Sequence, residues 1–288
     1  MAAVPLVRFA CVVLALLPAT ALAGNLGGTW RSPAGTFSLK ETADGLTGTL
    51  LQPAAGCAAL APGAQVVRGQ ILEGTFSGEV RVCLAGPKCT AKESWLSALL
   101  LADAKGHSLS GAIERGNASC HAQVPGKGGI SLRRVFQGAK PAPDVRTKLD
   151  PAAVAKAQAL LAEGQAQLQA GNPEEARERF KEAAALAPLP EAFNGIGVSH
   201  YFRHEYEPAL EAYRQAIAAD PDFGDAYYNM ACIYAVTGRK ELAFKFLQMS
   251  AHNRYHDFGS IDDDPDLASL HADPRYAKLK QQGRHNKK

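Results

Sequence analysis

The sequence predicts two domains of different class, an all-β domain followed by an all-α domain, within 288 residues. Residues 25–137 alternate short apolar and polar runs between Gly, Pro and Asp turns, which is typical of antiparallel strands. From residue 151 onward the composition changes to Ala, Leu, Glu, Gln and Lys at helical spacing. Three stretches of this second part repeat one pattern 33 and then 34 residues apart, which predicts a solenoid of helical hairpins.

Residues 1–23 have the features of a secretory signal peptide. Arg8 precedes an apolar run from Phe9 to Leu17, and Ala21-Leu22-Ala23 forms an A-x-A cleavage site before Gly24. The run is shorter than the roughly 18 apolar residues of a membrane-spanning helix, and no later stretch approaches that length. A retained anchor is the alternative. We therefore expect cleavage after Ala23 and an exported chain, periplasmic or secreted, without a membrane span.

The charge distribution excludes one class of partner. The formal net charge of +3 is small for this length, and basic and acidic residues are interleaved along most of the chain. Nucleic-acid binding is therefore not indicated. We expect the basic residues at the end of the chain to lie at the solvent-exposed end of a helix, where positive charges suit the helix dipole.

Eight candidate strands fill residues 24–137. They are Gly28–Ser32, Gly35–Lys40, Gly45–Leu51, Val66–Glu73, Gly78–Leu84, Glu93–Leu101, Ser108–Glu114 and Gly129–Val135. Asp44-Gly45 and Pro33-Ala34-Gly35 are hairpin signals between neighbouring strands. A meander of this length removes its exposed edges by closing, so we predict a small antiparallel barrel of about eight strands or a tight sandwich.

The first domain also contains four cysteines, Cys57, Cys83, Cys89 and Cys120. An even number in an exported domain predicts two disulfides, for which three pairings exist. We favour Cys83 with Cys89 across the Gly86-Pro87 turn, and Cys57 with Cys120. Zinc is the alternative because His121 adjoins Cys120, but the spacing matches no zinc-ligand pattern. We therefore predict no metal and no cofactor.

The two ends of the barrel sequence carry a family resemblance. Gly28-Thr29-Trp30 opens the first strand and Arg133-Arg134 ends the last. This is similar to the lipocalin and avidin superfamily, in which a Trp near one end of the barrel packs against an Arg of the closing strand. Leu50 stands where avidins have a biotin-contacting Tyr, and Trp95 is the only tryptophan besides Trp30 that could line a pocket. We expect a barrel filled by its own side chains, with a small-ligand cavity as the alternative.

A proline-rich linker joins the two domains. Residues 138–149 contain Lys140-Pro141-Ala142-Pro143, which favours an extended and partly stiff chain. Asp150-Pro151 and Asn172-Pro173 then place a capping residue before a proline, which marks two helix starts.

Residues 150–257 contain the three repeats. Gly164, Ala176, Phe180 and Ala183 of the first copy recur as Gly197, Ala209, Tyr213 and Ala216, and then as Ala231, Ala243, Leu247 and Ser250. The pattern resembles the tetratricopeptide repeat, most closely in the second copy. Residues 258–288 form a cap and a basic tail, in which Leu267, Leu270, Tyr276 and Leu279 can cover the last apolar face. We expect Asp264-Pro265 and Asp273-Pro274 to cap helices.

The resemblance implies a protein or peptide partner on the inner faces of the first helices. It places the partner-binding groove at Asn194, Val198, Tyr201, Phe202, Tyr228 and Cys232, with Leu161, Gln165, Leu168 and Ala235 beside them. Leu161 and Gln165 replace two members of the clamp with which some relatives grip a carboxylate. A hydrophobic or mixed peptide, or the chain's own barrel, is therefore the expected occupant. Alternatively, some of these side chains pack under the cap.

No catalytic residues are predicted. The chain contains no G-x-S-x-G or P-loop motif. His200 and His204 are four residues apart, as are His252 and His256, but neither pair has an evident third metal ligand. The expected function is that of a non-catalytic exported adaptor, and the alternative is a small-ligand carrier whose repeats dock a partner.

Overall fold

The structure is a computed structural model. It describes residues 26–32, 34–53, 57, 59–87, 89, 91–103, 105–114, 116–117, 120–122, 129–135, 149–253, 255 and 261–285. The predicted signal peptide and the linker up to residue 148 lie outside the described residues, so these two predictions and the exact domain bounds remain predictions. Within the described part of the chain, no helix combines the length and hydropathy that crossing a membrane requires.

The first domain is a closed antiparallel barrel. Its strands are β1 (Gly28–Ser32), β2 (Gly35–Thr42), β3 (Gly45–Pro53), β4 (Gln65–Leu72), β5 (Thr75–Ala85), β6 (Glu93–Ala102), β7 (Ser108–Ile113), β8 (Gly116–Asn117), β9 (Cys120–Ala122) and β10 (Gly129–Arg134). The order β4-β3-β2-β1-β10-β7-β6-β5 is closed by pairing of β4 with β5. The predicted eight-stranded barrel is therefore confirmed, and the short β8–β9 hairpin on β5 is an addition to it.

The barrel interior is filled by its own side chains. They enclose a cavity of only about 10 Å³, lined by Phe37, Leu39, Leu46, Val67, Val80, Leu100, Leu109, Ile130 and Leu132. One water needs about as much room, roughly 10–15 Å³, and prefers polar partners. Trp95 does not wall this cavity: it alternates with the inward-facing Leu96 and lies under the Arg68 guanidinium, 4.2 Å from the ring centroid.

One end of the barrel is closed by the predicted Trp and Arg pair. Trp30 is fully buried and pairs with Arg134 across β1 and β10. The Arg134 guanidinium lies 5.8 Å from the Trp30 ring centroid and donates to the Gly27 carbonyl. The Trp30 indole N–H donates to the Leu26 carbonyl at 2.9 Å, so the polar edge of this buried ring is satisfied.

The four barrel cysteines form two disulfides, but the favoured pairing was wrong. Cys57 pairs with Cys83, and Cys89 pairs with Cys120. β9 pairs with β5 through Leu84–Ala122 and Ala85–His121, so the next position in register brings Cys120 beside the turn that carries Cys89. Cys83 is buried in the barrel core, where it reaches the loop between β3 and β4 that contains Cys57.

The second domain consists of three helical hairpins and a cap. Its elements are α1 (Pro151–Gln169), α2 (Pro173–Leu186), α3 (Pro190–Tyr201), α4 (Tyr206–Ala219), α5 (Gly224–Val236), α6 (Lys240–His252), a 3₁₀ helix (Pro265–Leu270) and α7 (Pro274–His285). The Asp150 carboxylate caps α1 by accepting from the Ala152 N–H at 3.1 Å. Leu267, Leu270, Tyr276 and Leu279 are buried in the same core as α5 and α6, as predicted for the cap.

Small residues let the two helices of each hairpin approach closely. A Cβ on Gly197 would lie 2.3 Å from the Tyr213 ring, and one on Gly164 would lie 2.6 Å from the Phe180 ring. The repeated glycines therefore mark the places where an aromatic side chain of the second helix packs on the backbone of the first.

The barrel packs against the second helices of the second and third hairpins. Leu99 and Leu101 on β6, with Ala112 on β7, face away from the barrel interior and join the core formed by the helices. These strands contact α4 and α6. The alternative in which the barrel fills the groove of the first helices is therefore wrong, because the barrel packs on α4 and α6, the second helices of the second and third hairpins.

Candidate functional site

The predicted groove residues lie on the first helices α1, α3 and α5. Asn194 and Val198 share one face of α3, and Tyr228 and Cys232 share one face of α5, because each pair is four residues apart. The Asn229 amide of α5 donates to the Asn194 side-chain oxygen at 2.9 Å and joins the two helices. The repeat stacking therefore brings Asn194, Val198, Tyr201, Tyr228 and Cys232 to one surface, and Phe202 follows at the end of α3.

Half of this surface is covered by residues 263–270, which we name the strap. The strap comprises Asp263, Asp264 and the 3₁₀ helix. The Tyr228 hydroxyl donates to the Asp264 carboxylate at 2.5 Å, and the Tyr201 hydroxyl donates to the Asp266 carboxylate at 2.5 Å. The Cys232 thiol lies 3.7 Å from the same Asp264 oxygen. The strap thus accepts hydrogen bonds from side chains of both α3 and α5.

The strap divides the predicted groove into a covered and an open part. Tyr228 and Cys232 are only 7% and 5% exposed, so the alternative that these side chains pack under the cap holds for them. Asn194, Val198 and Tyr201 are half-buried, whereas Phe202 is 61% exposed. On α1, Leu161 and Leu168 are half-buried and Gln165 is exposed. The assignment of these residues to a partner remains a prediction.

The donors under the strap are neutral. Burial, with smaller effects of Asp264 and Asp266, raises the pKa of the Cys232 thiol far above its usual range. Burial also raises the pKa values of Tyr201 and Tyr228, with Asp266 and Asp264 adding to the effect. A protonated thiol is a poor nucleophile and a poor metal ligand. This site is therefore suited to hydrogen bonding rather than to covalent chemistry.

Cys232, Asp264 and Asp266 form a cluster of side chains of the types that bind metal ions, with their potential ligand atoms within 4.8 Å of one another. The Tyr201 hydroxyl already donates to the Asp266 carboxylate, and the Tyr228 hydroxyl to the Asp264 carboxylate. Asp264 also accepts from the Asp266 N–H at 2.9 Å, which caps the 3₁₀ helix. The predicted capping role of Asp264 is confirmed. Its contact with Tyr228 was not predicted.

The aromatic partner of Tyr228 was also not predicted. The rings of Tyr228 and Tyr255 are stacked, with centroids 4.2 Å apart and an interplanar angle of 10°. An aromatic residue between the last repeat and an acidic run was the available signal in the sequence. It could not be assigned to the groove because no local period connects the two segments.

Within the described residues, His200 and His204 do not belong to a group of three metal-ligand side chains. His204 lies in the turn after α3, with a φ of +59°, and faces the Tyr206 hydroxyl at 3.1 Å. His200 instead lies 2.5 Å from the Glu205 carboxylate. The four-residue spacing therefore does not place both rings on one helix face, and His256 lies outside the described residues.

Comparison with known families assigns the helical repeats. A family model described as TPR repeat matches residues 203–238, and one described as Tetratricopeptide repeat matches residues 161–203. Residues 161–238 are tetratricopeptide repeats. This agrees with the hairpins α1–α2 and α3–α4 and with the first helix of the third hairpin, α5.

This chain is also similar to several solved structures. One, MamA, is 21% identical with a TM-score of 0.37, covering 46% of this chain and 78% of that chain. The second TPR of Spaghetti (RPAP3), bound to the HSP90 peptide SRMEEVD, is 18% identical with a TM-score of 0.32, covering 33% and 89%. The Yersinia enterocolitica secretion chaperone SycD, in complex with a peptide of the translocator YopD, is 16% identical with a TM-score of 0.34, covering 49% and 97%. The repeat assignment itself depends on the family models.

Proposed function

We propose that this protein is a non-catalytic, exported adaptor whose tetratricopeptide groove binds a peptide segment of a partner protein. The observation that carries the proposal is that the groove already holds a segment of its own chain. Tyr201 and Tyr228, from two different helices, each donate to an aspartate of the strap at 2.5 Å. The inner face therefore has side-chain donors from two helices that can bind the polar groups of one peptide segment.

The open part of the groove is the proposed first contact for the partner. Phe202 is 61% exposed at the end of α3, and Val198 lies one helical turn before it. Large aromatic side chains supply much of the binding energy of protein interfaces. Leu161 and Leu168 of α1 are half-buried and add apolar surface. We expect a mixed or hydrophobic partner segment that places an apolar side chain against Phe202.

Export is supported by the cysteines of the barrel. Two disulfides, Cys57–Cys83 and Cys89–Cys120, agree with an oxidising compartment, where such bonds persist. The proposal is that residues 1–23 direct the chain there. N-terminal sequencing of the purified mature protein tests this step: we expect a chain that begins at Gly24, whereas an intact Met1 would contradict it.

The carrier function has less support than the adaptor function. The barrel cavity of about 10 Å³ is lined by nine apolar side chains and is smaller than any carried metabolite. A ligand of ordinary size needs about 300 Å³ or more, so the barrel would have to unpack before it could bind one. We therefore infer that the barrel supports the repeats from their second helices instead of carrying a ligand.

Site-specific photocrosslinking tests the adaptor function. A benzoylphenylalanine at position 202 should crosslink the partner in cells, whereas the same group at Leu186, an exposed apolar residue of α2, should not. The captured protein is then purified, and its affinity for the wild type and for Phe202→Ala is measured. We expect Phe202→Ala to weaken binding by about tenfold or more, as loss of an aromatic anchor does. Equal crosslinking from both positions, or unchanged affinity, would contradict the groove.

A further inference from the structure

The segments before and after the strap are attached to α7, whereas the strap itself contacts α5, where the Ser269 hydroxyl donates to the Ala235 carbonyl at 3.4 Å. Before the strap, the Ile261 carbonyl accepts from the Tyr276 hydroxyl at 2.8 Å, and Asp262 pairs with Lys280. After the strap, Asp273 accepts from the Arg275 N–H at 2.9 Å. The two ends of the strap therefore have attachments of their own that do not involve α5.

α7 is in turn fixed to α6. The Arg275 guanidinium donates to Glu241 at 2.8 Å and lies 4.2 Å from the centroid of the Phe244 ring. Tyr276 and Leu279 are buried in the core shared with α6. The Arg275 contacts do not involve a strap residue, so α7 has an attachment to α6 that is independent of the strap.

The contacts between the strap and the groove combine two buried leucines with hydrogen bonds to two neighbouring carboxylates. Leu267 and Leu270 are fully buried and favour the closed arrangement. Asp264 and Asp266 bring two carboxylates close together, with oxygens within 4.8 Å, and no described Lys or Arg forms an ion pair with either one. Like charges at this distance repel each other, whereas the hydrogen bonds from the Tyr228 and Tyr201 hydroxyls favour the closed arrangement. The acidic half of the strap is therefore held by these hydrogen bonds, which are lost when the two carboxylates are removed.

The local structure of the strap depends on those contacts. Its helix is a 3₁₀ helix of six residues, Pro265–Leu270. Runs of this length are uncommon because 3₁₀ hydrogen bonds have poorer geometry than α-helical ones. We expect so short a 3₁₀ helix, capped locally only by Asp264, to be marginally stable without its contacts with α5.

We propose that the strap opens and closes over α5 while α7 stays in place, and that the closed state keeps Tyr228 and Cys232 from the partner. This inference rests on the proposed function, because the partner is what would use the uncovered surface. The closed resting state lowers the apparent affinity for the partner by the fraction of molecules that are open. The strap is thus an autoinhibitory element whose aspartates occupy the places of partner side chains.

Cys232 is the reporter for this motion. It is the free cysteine of the described residues, it is 5% exposed, and it lies directly under Asp264. The rate at which a thiol reagent labels Cys232 in the oxidised full chain therefore measures strap opening. Asp264→Ala/Asp266→Ala should raise this rate by about tenfold or more, since both acceptor groups of the strap are lost. Asp263→Ala, which removes the adjacent exposed carboxylate, is the matched control and should leave the rate within about twofold.

A second measurement separates strap opening from unfolding. In the wild type, the labelling rate should be nearly independent of low concentrations of denaturant, because opening exposes little surface compared with unfolding. If the rate instead follows global unfolding, or if the double variant folds and Cys232 stays as protected as in the wild type, the strap is a fixed part of the core and the inference is wrong.

A synthetic peptide of residues 259–272 tests whether the groove accepts the strap as a ligand. Added in trans, it should slow Cys232 labelling in Asp264→Ala/Asp266→Ala and have no effect on the wild type, whose own strap competes. The same peptide with alanine at both positions should have no effect on either protein. Protection by both peptides alike would contradict recognition of the aspartates. None of these experiments contains the partner. The strap inference can therefore fail while crosslinking at position 202 supports the adaptor function, and the adaptor function can fail while the strap inference holds.

Discussion

Arg239 of the repeat domain forms an ion pair with Glu73 of the barrel, with 2.7 Å between the guanidinium nitrogen and the carboxylate oxygen. Arg239 begins the turn into α6, and Glu73 lies in the turn between β4 and β5 with a φ of +50°. The same guanidinium lies 4.7 Å from the centroid of the Tyr234 ring. One side chain of the repeats thus contacts both domains.

A double-mutant cycle should detect this coupling. Arg239→Ala and Glu73→Ala should each destabilise the chain, and their combined effect should fall short of the sum by about 0.5–1 kcal/mol, the size expected for a partly exposed pair. Denaturant unfolding measures the four proteins. The pair Arg68 and Glu79, which lies wholly within the barrel, provides a cycle of similar chemistry for comparison. Strict additivity at Arg239 and Glu73 would show that the two domains are not coupled through this pair.

Gly197→Ala should destabilise the second hairpin. A Cβ at this position would meet the Tyr213 ring at 2.3 Å, and Tyr213 is buried, so either the ring or the helix must shift. We expect a loss of about 1–3 kcal/mol, the usual cost of overpacking. If the clash is the cause, Gly197→Ala should cost less in the Tyr213→Leu background than in the wild type. Thermal unfolding of Gly197→Ala, Tyr213→Leu and the double variant provides the measurement, and an equal cost in both backgrounds would disprove the explanation.

Peptide mapping of the oxidised protein should recover Cys57 linked to Cys83 and Cys89 linked to Cys120. These disulfides span 26 and 31 residues, for which the chain-entropy relation predicts about 3–4 kcal/mol of stabilisation each. Replacing both members of one pair by serine should therefore lower the free energy of unfolding by about that amount. Recovery of a peptide with Cys83 linked to Cys89 would contradict the register of β9 on β5.

Acid should weaken the turn between α3 and α4. A hydrogen bond from Arg203, followed by one from His200, lowers the pKa of Glu205 from 4.5 to about 2. A carboxyl group with a lowered pKa stabilises the fold above its unfolded pKa, and this contribution is lost as the pH falls from about 4.5 to about 2. The melting temperature of Glu205→Gln should thus fall less steeply over this range than that of the wild type. Glu175→Gln, which removes a carboxylate from α2, is the control and should follow the wild-type curve.

The strands and helices were predictable because their signals are local. The alternation of Trp30 with polar neighbours, and the glycine at Asp44-Gly45, are read within a few residues and give the strand and the turn that the structure contains. The spacing of Gly197 and Tyr213 likewise follows from one hairpin. The barrel closure then follows from the number of strands and their short connections.

The covering of the groove and the disulfide pairing were not predictable because both depend on distant segments. Tyr228 and Asp264 are 36 residues apart, and Tyr201 and Asp266 are 65 apart, so no repeat period relates them. The Cys89–Cys120 bond depends on a two-residue register between β9 and β5. In each case the sequence supplied the right residue types but not the contact.

The triple leucine at the end of β6 has a practical consequence for anyone who divides this protein for expression. Leu100 fills the barrel, whereas Leu99 and Leu101 are only 2% and 3% exposed because the helices cover them. A barrel produced without the repeats would expose Leu99 and Leu101 as an apolar patch on β6, and exposed apolar patches favour self-association. Separate production of the barrel should therefore replace these two leucines by polar residues, and leave Leu100 unchanged.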